Sequence, residues 1–132
     1  MDTTGPKGTR NMAISAEFRD HLLELLDPLG GVEARRMFGG AGLFRRNLMF
    51  ALIVGDVVYL KTDPTTRAAF EARGKGPFAY DTKQGRRVIA GLHELPEELF
   101  DEPDELVEWA RTAFEVACRA DAAKSPSKRK RV

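Results

Sequence analysis

The sequence predicts an α+β fold, a two-layer sandwich in which a mainly antiparallel sheet is covered by helices. Three observations point to it. Phe18, Leu22, Leu25, Leu26 and Leu29 recur at helical spacing, the stretch from Val32 to Lys61 is rich in β-compatible residues punctuated by glycines, and an amphipathic run follows Pro103. The connections between the β-compatible runs are too short for repeated parallel crossovers, which excludes a Rossmann-like arrangement. At 132 residues, 42% hydrophobic and 31% charged, the chain suits one soluble domain with a real core.

The expected element order is α-β-β-β-α-β-β-α. Residues 1–13 read as a flexible N-terminus, 14–119 as the folded domain and 120–132 as a disordered basic tail. Ser15 suits an N-cap for a helix over 16–27, with Glu17 favourable in its first turn and Pro28 and Gly30-Gly31 stopping it. Strands follow at Val32–Phe38 and Ala41–Val54, the second bent near Arg45-Arg46-Asn47, and Gly55-Asp56 is a two-residue hairpin signal leading into Val57–Lys61. Asp63-Pro64 reads as a helix start with Asp63 as N-cap, and Gly74 as that helix's end. Phe78–Thr82 and Arg87–Leu92 flank a turn at Lys83-Gln84-Gly85-Arg86, giving a second hairpin. The last helix is expected after Pro103, capped by Asp104, with Leu106, Ala110, Ala113, Phe114 and Ala117 as its buried stripe and Trp109 beside them. Phe44, Phe50, Leu52, Tyr59, Leu22 and Phe114 are expected to share one core.

Charge is distributed unevenly. Residues 124–132 carry five Lys/Arg and no acid, leaving 16 basic against 20 acidic residues in the body. Within the body, residues 35–87 hold 11 Lys/Arg against four Asp/Glu, whereas 94–115 hold one Arg against nine acids. The longest apolar run, Leu48–Val54, cannot span a bilayer, and the N-terminus lacks a signal-peptide pattern, so a cytoplasmic location is expected. A single cysteine, Cys118, excludes an internal disulfide and a cysteine-based zinc site.

The segment Arg35-Arg36-Met37-Phe38-Gly39-Gly40-Ala41-Gly42-Leu43-Phe44, continued by Leu48–Val54, Val57–Asp63, Phe70–Gly74, Pro77–Tyr80 and Leu95-Pro96, resembles the TfoX (Sxy) N-terminal domain family over about residues 15–118. The resemblance implies a topology similar to type III secretion chaperones. It also implies a role in regulating natural competence in bacteria, alongside a cyclic-AMP receptor-type transcription activator. Family members pair this domain with a C-terminal helical domain for which 132 residues leave no room, so a stand-alone member is expected. Ala41 departs from the aromatic residue often found between the family's glycines.

The chemistry of the residues points away from catalysis. Gly40-x-Gly42 lacks the third glycine of a dinucleotide fingerprint, Arg45 standing in its place, and runs into a strand, so no helix N-terminus is offered to a phosphate. His21 and His93 read as surface histidines, Cys118 as a small core residue on or beside the last helix's buried stripe, and the acids between Glu94 and Glu108 as a solvated loop and helix start. No Gly-x-Ser-x-Gly or metal-ligand spacing occurs. The expectation is a non-enzymatic regulatory or adaptor domain with no cofactor and no metal, acting on a protein partner. Its candidate interaction surface is Arg35, Arg36, Gly39, Gly40, Gly42, Arg45 and Arg46. The alternative is a nucleic-acid-binding accessory protein working through those arginines and Lys128, Arg129, Lys130 and Arg131. The apolar run Leu48–Val54 further favours a homodimer over a monomer.

Overall fold

The structure, a computed structural model, describes residues 16–37 and 39–124. The order is α1 (Ala16–Leu25), β1 (Val32–Met37), β2 (Gly40–Arg45), β3 (Leu48–Val54), β4 (Val57–Lys61), α2 (Arg67–Glu71), β5 (Pro77–Thr82), β6 (Gly85–Glu94) and α3 (Pro103–Ala122). The six strands form one sheet in the order β1-β2-β3-β4-β6-β5, with every neighbouring pair antiparallel. The expected α+β sandwich is what forms, and the expected strand Ala41–Val54 is resolved into two strands by its bend.

Local chemistry explains the turns. Arg46 and Asn47 take φ of +52° and +66° and join β2 to β3 as a two-residue hairpin, a conformation that asparagine tolerates and arginine resists. Gly55, at φ +61°, makes the β3–β4 turn as its sequence signal implied. The β5–β6 turn is tighter than expected: Thr82 pairs with Gly85, leaving only Lys83 and Gln84 between them. Asp63 accepts from the Thr65 amide at 3.0 Å, while its own amide donates to Thr66 Oγ1 at 3.1 Å. Asp63 therefore caps a turn over residues 64–66, and α2 itself starts at Arg67 rather than at Pro64. Gly74, at φ +74°, ends α2 in a Schellman pattern, with Lys75 N–H donating to the Phe70 carbonyl at 3.0 Å and Gly74 N–H to Glu71 at 2.9 Å.

At α3 the first helical residue is Pro103 itself, whose missing N–H costs nothing there, and Asp104 lies in the first turn without capping it. The predicted stripe of Leu106, Ala110, Ala113, Phe114 and Ala117 is buried, joined by Val107 and Val116. The helix runs on to Ala122, into the stretch read as tail. Residues 125–132, including Lys128, Arg129, Lys130 and Arg131, lie outside the described residues, as do 1–15 and Phe38.

The expected single core is two clusters on opposite sheet faces. Leu22, Phe50 and Phe114 belong to the main one, beneath the helices with Leu43, Ile53 and Leu60; Leu52 belongs to a second with Val54 and Leu92, against which Tyr59 packs. The cause is a β-bulge. Leu43 pairs with Ala51 but Phe44 with Met49, so Phe50 is an extra residue in β3. Leu48 and Phe50 face the helices before the bulge and Ala51 and Ile53 after it, sending Leu52 to the other side. Phe44 is buried on that other side as well, under the Arg35 guanidinium at 4.4 Å.

Candidate functional site

The face of the sheet turned away from the helices is curved into a trough. Met37 on edge strand β1 and Phe78 and Tyr80 on edge strand β5 line the same cavity of about 370 Å³, with Met49, Leu52 and Ile89 between them. Six strands laid flat would hold those edges about 24 Å apart, so only a strongly curled sheet brings them together. The curl is produced in β6: Pro77 pairs with His93 but Phe78 with Ile89, and the residues left over bend the β5–β6 hairpin across the open face. Tyr59 and Phe78 then meet edge to face at 4.8 Å, and Phe78 stacks on Tyr80 at 5.7 Å. Burial and the charge of nearby Glu94 raise the Tyr59 hydroxyl above its usual pKa, so it stays protonated.

The glycine segment forms part of this construction. Gly40 and Gly42 are buried, and only Gly39, in the β1–β2 turn at φ +77°, is exposed. A Cβ on Gly40 would collide with the backbone carbonyl of Ile53, so glycine there permits close approach of β2 and β3. A Cβ on Gly42 would lie 2.6 Å from Met37 Sδ and 3.0 Å from Met49 Sδ, so the gap left by its missing side chain is filled by two thioethers of the trough.

The four arginines are not gathered into one patch. Arg35 pairs with Gly42 and Arg36 with Ala41, on opposite faces, while Arg45 pairs with Val32 at the far end of the helix-covered face. Arg45 is committed to the fold, its Nε donating to the Gly30 carbonyl at 2.8 Å and its guanidinium lying 4.7 Å over Phe114. Arg35 donates to Asn47 Oδ1 at 2.8 Å and to Glu33 at 3.2 Å, bracing the Arg46-Asn47 turn. Arg36 and Arg46 are exposed near the β1 edge of the sheet.

His93 is the residue that sequence reasoning placed wrongly. Read as a surface histidine, it is 2% exposed on the helix-covered face opposite Leu60, because the outward-to-inward alternation of β6 is reset where the hairpin bends. Thr62 Oγ1 donates to the Ala90 carbonyl at 3.1 Å and stands 3.0 Å from His93 Nδ1, which fixes the ring's orientation. Glu71 Oε2 lies 4.0 Å from Nε2. Burial and the charge of Arg67 outweigh Glu71 and lower the His93 pKa below its ordinary value, so the imidazole is neutral at physiological pH. Cys118 lies beside the buried stripe, next to Ala117, but is exposed rather than a core residue, and His21 is exposed as expected.

A second cavity, of about 400 Å³, opens between α2 and α3 against Lys61, Thr66, Phe70 and Trp109. Its lysine is lowered in pKa by burial and by Lys124. At its margin the hydroxyl of Thr65, and then Arg119, hold the Asp63 carboxyl down to about 2. Among the described residues no group of three or more His, Cys, Asp or Glu side chains is placed to hold a metal, and no helix is long and apolar enough to cross a membrane. The family model of the TfoX N-terminal domain matches residues 24–117. A comparison with curated proteins finds none that matches.

Proposed function

Because the chain belongs to the TfoX N-terminal domain family, we propose that it is a non-enzymatic regulatory module, linked to competence or transcription, that works by binding another protein along the β1 edge of its sheet. The observation that carries this reading is the position of β1. It ends the sheet, pairs with β2 alone among the described strands, and leaves one row of backbone donors and acceptors over Val32–Met37 free to pair with a partner's strand. Exposed charge on an edge normally deters indiscriminate pairing. Here Arg36 and Arg46 bias the edge toward an acidic segment, which gives the contact selectivity as well as main-chain hydrogen bonds.

Affinity capture from the native cell, with and without nuclease, tests the reading directly. A partner retained after nuclease treatment and lost with the double charge reversal R36E/R46E supports it. Recovery that disappears with nuclease, or a partner indifferent to the reversal, assigns the contact elsewhere.

A further inference from the structure

The trough on the open face has features that protein binding at the β1 edge does not use. It is recessed: Leu52, Val54 and Leu92 at its floor are 5%, 8% and 8% exposed, so the sheet's curl has already removed most water from it. Its volume of about 370 Å³ lies at the small end of the ~300–1,000 Å³ typical of small-molecule sites. Met37 and Met49 are unbranched and adaptable, and lean together over the gap at Gly42. A recessed slot of this kind suits a slim apolar chain and gives a flat second copy little to grip.

Charge at the rim selects the head group. On this face Glu33 is paired with Arg35 at 3.2 Å and Glu94 with Lys75 at 3.6 Å. Arg87 lies directly across from Tyr80, whose ring lines the trough, and shares the face of Phe78 and Ile89 by strand alternation. It is exposed, and among the described residues it has no ion-pair partner. Adjacent Arg86 instead pairs with Asp81 on the other face at 3.3 Å. An uncommitted guanidinium beside an apolar slot is complementary to an amphiphile with a carboxylate head. It repels the chain's own basic C-terminal residues.

We propose that the trough binds a free medium-chain aliphatic carboxylate, its hydrocarbon chain between the methionines and the Phe78–Ile89 wall and its carboxylate at Arg87. This goes beyond the protein-binding reading, and either can fail without the other. The test is a titration of the full chain with sodium decanoate, with 1-decanol as the headless control, followed by NMR of [¹³C-methyl]methionine. The chain has four methionines; Met37 and Met49 line the trough and report on it, while Met1 and Met12, outside the described residues, serve as reference signals.

Binding should shift Met37 and Met49 saturably and leave Met1 and Met12 in place. Affinity should rise about fourfold per added methylene from octanoate until the slot is full. R87E, on an exposed hairpin, should weaken decanoate about fivefold and leave 1-decanol unchanged, whereas M49W should block both by filling the slot. Should M49W fail to fold, the chain-length series and R87E decide alone. No saturable shift, equal shifts of all four methionines, indifference to R87E, or co-sedimentation with anionic vesicles without a decanoate response would each overturn the proposal.

Discussion

The glycine signature offers a test in which three neighbouring substitutions, each Gly→Ala, have different costs for different reasons. At Gly40 the added methyl meets the carbonyl of Ile53, a fully buried residue of the sheet centre, and neither strand can retreat without opening the β2–β3 ladder. Overpacking against rigid backbone belongs at or above the top of the usual range, about 3 kcal/mol or more. At Gly42 the close contacts are with side chains, Met37 Sδ at 2.6 Å, Phe44 Cε1 at 2.9 Å and Met49 Sδ at 3.0 Å. Two of these are flexible thioethers that can swing into the trough, and the loss should stay near 1 kcal/mol. At Gly39 there is open space, so the cost is only that of a side chain at φ +77°, about 1–2 kcal/mol, partly offset by a stiffer unfolded chain. Urea unfolding of the three variants measures the order. With a slope of about 1–3 kcal/mol per molar, Gly40→Ala should move the midpoint by more than about 1 M. A loss below about 1 kcal/mol for Gly40→Ala, or a greater loss at Gly39, would refute the steric account and return the segment to consideration as a ligand cradle.

Further outcomes follow from other parts of the fold. Phe50→Ala and Phe114→Ala should each lose about 3–5 kcal/mol by urea unfolding, since the two rings meet edge to face at 6.3 Å in the main core; a loss below about 1 kcal/mol at either would remove that residue from it. The double mutant should fall short of the sum by about 0.5–1.5 kcal/mol, the aromatic pair being counted twice in the singles. His93 has a folded pKa lowered from 6.5, so its contribution is complete above pH 6.5 and is lost as pH falls through the folded value. Stability should therefore drop as pH falls below 6.5, by no more than about 1.4 kcal/mol per pH unit from this proton, and H93Q should flatten that slope; an unchanged slope would remove His93 as its source. Deleting residues 124–132 should abolish any salt-sensitive binding of a labelled DNA duplex in fluorescence anisotropy, because the remaining body carries 16 basic against 20 acidic residues; affinity retained by the truncated protein would place recognition in the body.

Much of the fold was legible because its signals are local. Leu22, Leu26 and Phe114 lie where helical spacing put them, and Gly55 turns the chain where a positive φ was called for. What the sequence hid depends on pairing between distant segments. Nothing local to Phe50 marks it as the bulged residue, since its identity as an extra member of β3 exists only relative to Leu43 and Phe44 on β2. The faces of Leu52 and Tyr59 follow from that single shift. His93 was misread for the same reason: its inward position is fixed by pairing with Leu60, after the β6 irregularity has reset which residues point inward.

The candidate site shows this dependence most clearly. Consecutive Arg35 and Arg36 had to diverge by strand alternation, as period-two geometry requires, but the fate of Arg45 was not readable, because the acceptor and ring that hold it come from Gly30 and Phe114. Glycines at 40 and 42 were visible as exceptions in a β-rich run, yet visibility alone could not separate a ligand cradle from close strand packing. The distances separate them: a side chain at 40 meets another strand's backbone, and one at 42 meets the sulfurs that wall the trough. The same irregularities that defeated the one-core reading, the bulge in β3 and the bend in β6, turn Leu52 outward and carry Phe78 over it. Errors in reading the faces and the existence of a recessed apolar slot therefore share one cause. A sheet with perfect alternation would have matched the sequence reading more closely and offered no trough.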